Sequence, residues 1–300
     1  MTEETTKEAS TPVGASASPG LAVAGSLVMT GLLALIYWVP VQQMVSIWGL
    51  SDSYYSHGYL IAPISLFLVG LKWKVLREIP IAHSWLGYPL ILISVFLLII
   101  GAFFGFSIFE HFSMPLMIAG VLLALLGTRW MSYLWFPVLF LYFMVPIPPS
   151  ITQSVALTLK LAATSGAVFL ARLMTLPMIH DGSFVLFGND KLLIGNVCGG
   201  LRSLISMLAL GFLMSYFSRC HWWARLLIVG LAGPIAIASN IVRIFFLCVV
   251  AYFYGSQNAT GIVHDVSGFI MFGLAFGLFI GVESFLRKWA HQPEAEGTVS

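Results

Sequence analysis

The chain has 300 residues, 59% of them hydrophobic and only 9% charged, with a net charge of +2 at pH 7 and a mean hydropathy of +0.95. Soluble domains run near roughly 45–50% apolar and about 25% charged, so a soluble enzyme and a disordered chain are both excluded, and so small a net charge leaves no surface for a nucleic-acid backbone. Three cysteines cannot build a disulfide framework and leave at least one free thiol. The first twenty residues are rich in Ser, Thr, Ala, Glu, Pro and Gly, with Lys7 as their only base. They lack the positive start and early apolar run of a secretory signal and read as a disordered cytoplasmic tail. Residues 291–300 read the same way, leaving one multi-spanning domain over 21–290.

A spanning helix needs roughly 20 mostly apolar residues. Such runs lie at Leu21–Val39, Tyr59–Leu71 with some extension, Trp85–Gly105, Met114–Gly127, Met131–Pro146, Gly199–Phe217, Leu226–Tyr252 and Val266–Phe285. The fold class is therefore an all-α polytopic membrane protein with about eight transmembrane helices. Between the fifth and sixth runs, Pro146, Pro148 and Pro149 end a helix, and Lys160 and Arg172 interrupt the apolar stretch Ile151–Leu176. Charges at mid-bilayer are costly, so this stretch is expected as an outer interfacial or re-entrant helix. Turn signals at Asp181-Gly182 and Gly188-Asn189-Asp190 then separate β-type stretches Ser183–Phe187 and Lys191–Ile194, which predicts a small β-hairpin on the membrane face.

With that helix outside, Lys72, Lys74, Arg77, Arg129, Arg219, Arg225, Arg287 and Lys288 share one side, against Lys160, Arg172 and Lys191 on the other. The positive-inside bias puts both termini in the cytoplasm and the hairpin outside. Cys198 then stands at the outer start of one span and His264 at the outer start of the last. Arg243 lies about 27 Å along the span entered at Arg225, taking 1.5 Å per residue, which is its outer half. Three chemically capable residues from three successive helices thus meet at one membrane level.

Cys198 lies in Gly195-Asn196-Val197-Cys198-Gly199-Gly200-Leu201-Arg202. A helix N-terminus and a nearby cation favour the reactive thiolate, and both are available from the following helix and Arg202. The glycines leave room for a substrate backbone, although a buried packing cysteine would also suit such a stretch. Arg243 shares a helix face with Asn240, and an intramembrane guanidinium suits an oxyanion or carboxylate; a structural pair with Glu110, Asp181 or Asp265 is the alternative. His264 suits acid–base work or, with Asp265, a helix cap. His57, in Tyr54-Tyr55-Ser56-His57-Gly58, stands where it can line a substrate mouth, while Cys220 and Cys248 look like loop and packing residues. No metal-ligand spacing, phosphate loop or serine-hydrolase elbow is present, so no cofactor is expected.

In their order, Tyr55-Ser56-His57-Gly58, the Pro146–Pro149 break, Cys198-Gly199-Gly200-Leu201-Arg202, Asn240-Ile241-Val242-Arg243 and the late His264 resemble the exosortase/archaeosortase family. Gly199 stands where such proteins usually carry Ser or Ala. The resemblance implies a membrane cysteine transpeptidase, with Cys198 as the thioester-forming nucleophile, Arg243 stabilising the oxyanion or thiolate, and His264 as acid/base. Arg202, Asn240 and His57 are the supporting, substrate-binding residues. It further implies substrates exported with a C-terminal tail of short motif (Pro-Glu-Pro-like), apolar helix and basic cluster, cut at the outer face of a bacterial inner membrane. Partners would be those proteins, the lipid bilayer and exopolysaccharide machinery, with no nucleic acid. The rival readings are a transporter, which would show inverted repeats that this sequence lacks, a scaffold in polysaccharide export, and a lipid acyltransferase using the same thiol.

Overall fold

Apolar runs of this length become helices because the bilayer offers their backbone no other hydrogen-bond partners. The computed structural model describes residues 28–29, 31–188, 190–195, 199–259 and 261–289. These fall in two compact units, divided between Gln42 and Gln43. The first holds helical backbone at 31–36 and the opening of α1 (Trp38–Trp48). The expected tails at 1–20 and 291–300, and the start of the expected Leu21–Val39 span, lie outside the described residues.

The second unit continues through α2 (Gly58–Leu76), α3 (Gly87–Phe104), α4 (Ser107–Leu126) and α5 (Thr128–Phe140), which tightens into a 3-10 turn at Leu141–Met144. After the proline break come α6 (Pro149–Leu173), the strands β1 (Met178–Asp181), β2 (Phe184–Phe187) and β3 (Asp190–Leu193), and then α7 (Leu201–Phe217), α8 (Trp222–Tyr254) and α9 (Ile262–Trp289). Pro149 occupies the first turn of α6, where a missing N–H costs nothing.

Among the described residues, six helices are long and apolar enough to cross a membrane: α2, α3, α4, α6, α8 and most of α9. The count of about eight is therefore not reproduced. α5 has 13 residues before it tightens, and α7 is a shorter apolar helix of 17. α6, expected as an interfacial or re-entrant helix, is also long and apolar enough to cross. α8 has 33 residues, about 50 Å at 1.5 Å per residue, against a hydrocarbon core of roughly 30 Å. Trp222 and Trp223, both exposed, mark its interfacial start, so a core measured from there ends about twenty residues on, near Arg243. The projecting end is covered. Ile244, Leu247, Cys248 and Ala251 form one core with Ala163, Ala167, Val168 and Ala171 of α6 and with Met178, Val185, Phe187 and Leu192 of the strands. α6 thus packs beside the far half of α8.

The strands form one antiparallel sheet in the order β1-β2-β3, with Ile179 opposite Leu186 and Phe184 opposite Leu193. The expected hairpin is β2–β3. β1 extends it and was invisible in sequence because only Met178 of its four residues is buried, so it shows no alternation. Asp190 ties the sheet to the α8–α9 loop. Its carboxylate accepts from the Ser256 N–H and hydroxyl, both at 3.2 Å, and from the Lys191 N–H at 2.7 Å. These bonds hold it below the usual carboxylate range, the Lys191 N–H contributing most.

α8 packs against both α7 and α9 through a second core that includes Met207, Ala224, Ile228, Ala232 and Phe279. Elsewhere Trp130 Nε1 donates to the Ile79 carbonyl at 3.2 Å and Ser218 Oγ to Glu283 Oε1 at 3.2 Å. These bonds join the basic end of α2 to the start of α5, and the α7–α8 link to the basic end of α9.

Candidate active site

The loop before α2 is fastened to the proline break by three side chains. Trp48 Nε1 donates to the Met144 carbonyl at 2.9 Å, the Ile147 N–H donates to the Tyr55 hydroxyl oxygen at 3.1 Å, and His57 Nε2 lies 3.2 Å from the Phe143 carbonyl oxygen. Two segments that the sequence offered as separate signals are therefore one structural unit. Burial pushes the Tyr55 hydroxyl above its ordinary range, against the pull of the Ile147 N–H. His57 is held below the ordinary histidine range, first by burial and further by the charge of Arg202, with the Phe143 carbonyl opposing both.

Arg202 fixes the same loop from α7. Its Nε donates to the Ser53 carbonyl at 2.7 Å and its Nη2 to the Ser51 carbonyl at 3.0 Å. The guanidinium that looked available for the thiol or an acidic substrate group thus staples a loop about 150 residues away in sequence. α7 begins at Leu201 behind Gly200, whose φ of +84° is left-handed. A methyl group on Gly200 would also lie 2.7 Å from Asn240 Nδ2, so only glycine fits where the chain turns into α7 against α8.

On α8, Asn240 is buried and Arg243 Nε lies 3.5 Å from Ser267 Oγ of α9. The Arg243 guanidinium rests against Gly268, where a methyl group would come within 3.0 Å of Nη2. Close approach is what this glycine supplies.

His57, Arg202, Asn240 and Arg243 line one cavity of about 560 Å³, with Ser206 and Ser239 beside them. α7 and α8 form its floor, while α2 contributes Leu60 and α9 contributes Phe269 and Phe272 at its flanks. These three side chains are also exposed, and α2 and α9 do not pack extensively on each other. Among the described residues that line the cavity, Arg202 and Arg243 are the cationic ones. Four of the six residues singled out in sequence are thus brought together. Cys198 lies outside the described residues, two positions before Gly200. His264 falls in the first turn of α9, four residues before Gly268, and its side chain, like that of Asp265, lies outside the described residues. Cys220 and Cys248 are fully buried and do not line this cavity.

Sequence reasoning passed over Ser206 and used Lys160 only as a charge that interrupts an apolar run. Ser206 sits one turn after Arg202 in an apolar helix, so the i, i+4 spacing of polar residues was its signal. Lys160 is buried in α6, and its Cβ lies 3.5 Å from where a Gly199 side chain would begin. Only the packing of α6 on that turn brings it near.

Fold and cavity define a polytopic membrane protein with a cationic polar site where α2, α7, α8 and α9 converge. Residues 48–281 match the family model described as transmembrane exosortase (Exosortase_EpsH), and the chain belongs to that family. No curated protein and no solved structure matches the chain.

Proposed function

We propose that the protein is a membrane-embedded cysteine transpeptidase that cuts C-terminal sorting tails from exported proteins at the outer face of a bacterial inner membrane. The observation that carries this reading is the convergence of Arg243, Asn240, Arg202 and His57 on one cavity beside the Gly199-Gly200 turn. Family membership supports a transpeptidase or protease. The bias of eight basic residues against three supports a site facing the periplasm.

In this reading Cys198, three residues before α7, uses the positive end of the helix to favour its thiolate. Sγ attacks the scissile carbonyl carbon, and Arg243 stabilises the oxyanion. The C–N bond then breaks, His264 gives its proton to the leaving amine, and a thioester remains. The substrate's apolar tail segment lies in the bilayer, which presents the scissile bond at the level of Arg243 and spares much of the entropy of a bimolecular encounter. Substrates carry a short Pro-Glu-Pro-like motif, an apolar helix and a basic cluster, and act alongside exopolysaccharide machinery.

The test is a substrate-processing blot in host cells comparing wild type with Cys198→Ala, Cys220→Ala and Cys248→Ala at equal membrane abundance. Loss of cutting in Cys198→Ala alone is expected. Continued cutting in that variant refutes the thioester mechanism.

A further inference from the structure

The imidazole of His57 has its proton assigned by its surroundings. Nε2 faces the Phe143 carbonyl oxygen at 3.2 Å, and a carbonyl can only accept, so in the neutral ring the hydrogen sits on Nε2. That leaves the lone pair on Nδ1, which points to Ser206 Oγ at 3.4 Å. Ser206 therefore donates, through a long bond that a better donor arriving in the cavity displaces. The backbone that carries the ring is held in place. His57 caps α2, its own carbonyl accepts from Leu60 N–H at 2.9 Å, and the preceding loop is held by Tyr55 and Arg202. A base oriented by a fixed acceptor on its other nitrogen is the arrangement that activates a nucleophile.

We propose that His57 Nδ1 is the proton acceptor for the second half of the reaction, in which an incoming hydroxyl, amine or water takes the acyl group from Cys198. This rests on the cysteine-transpeptidase reading. The incoming oxygen or nitrogen attacks the thioester carbonyl carbon and forms the new bond. Its proton passes to Nδ1, the C–S bond breaks, and the electron pair leaves on Cys198 Sγ. The imidazolium then returns the proton to the thiolate, restoring both groups. The first half needs a group that already carries a proton for the leaving amine; His57, whose burial and whose neighbour Arg202 favour its neutral form, has its Nδ1 lone pair turned into the cavity and suits the opposite task. It lines the cavity with Arg243, so oxyanion stabilisation and proton acceptance can act on one carbonyl.

The experiment uses the full-length protein in membranes with a reporter carrying a Pro-Glu-Pro tail, and water or hydroxylamine as acceptor. In His57→Gln, release of product should slow about 100-fold, the usual worth of a general base, while a hydroxylamine-sensitive acyl-enzyme accumulates. In His57→Ala, added imidazole should restore release, which a variant that merely misfolds would not show. Wild-type turnover without a trapped species overturns the inference. So does loss of both cutting and acyl-enzyme in a His57→Gln protein of normal melting temperature, since that places the residue before acyl transfer. A parallel Cys198→Ala arm keeps the two readings apart: cutting that persists there refutes the thioester itself, whatever His57 does.

Discussion

Neighbouring residues at the start of α7 have opposite tolerances. Gly200 combines φ +84° with a close approach to Asn240, whereas a methyl group on Gly199 meets only the Ala156 carbonyl oxygen at 3.3 Å and Lys160 Cβ at 3.5 Å. A left-handed non-glycine residue costs on the order of 1–2 kcal/mol, and displaced Asn240 adds to it. Gly200→Ala should therefore lower the melting temperature of the detergent-solubilised protein and abolish processing, while Gly199→Ala stays close to wild type in both. His57 carries a prediction of sign. Arg202 faces it from α7 and Arg243 from α8, and Asp52, Tyr54 and Tyr55 belong to its own loop. Because the folded-state value lies below the ordinary one of about 6.5, the stability linked to neutral His57 is complete above that pH and lost as pH falls through the folded value. The acid limb of the product-release profile should accordingly lie below the ordinary histidine range. Arg202→Gln should move it upward by removing a cation, and Arg202→Lys should move it less.

At the scale of elements, α6 is the segment whose place matters most. An interfacial α6 would keep both of its ends on one side of the membrane, whereas a crossing would separate them. Ser150, in the first turn of α6, and Met174, just after its last, are exposed. In a Cys198→Ala background, where Cys220 and Cys248 are fully buried, single Ser150→Cys and Met174→Cys variants should both react with a membrane-impermeant maleimide added to the periplasmic side. Labelling from opposite sides would make α6 a crossing. The sequence placed α6 at the interface through Lys160 and Arg172, although by length and composition the helix is also apolar enough to cross. It also carried α2, α3, α4, α8 and α9, because long apolar runs leave little choice of structure. β1 was not legible, having a single buried residue, nor was the short reach of α5.

For the whole molecule, the residue types that line the cavity were legible in Arg243, Asn240 and His57. The staple from Arg202 to Ser51 and Ser53 was not, since it joins segments 149 and 151 residues apart, and a single sequence carries no trace of such a pairing. The same holds for the docking of the His57 loop on the proline break. What the assembled elements add is a fixed height. α8 runs from its exposed Trp222 and Trp223 to Arg243 as one continuous helix, with α7 and α9 packed against it. On the proposed function this makes the helix a measuring stick. A reporter tail lengthened by one helical turn between its basic anchor and its scissile bond would carry that bond about 5.4 Å past the guanidinium, and it should be cut more slowly than its parent in the processing blot.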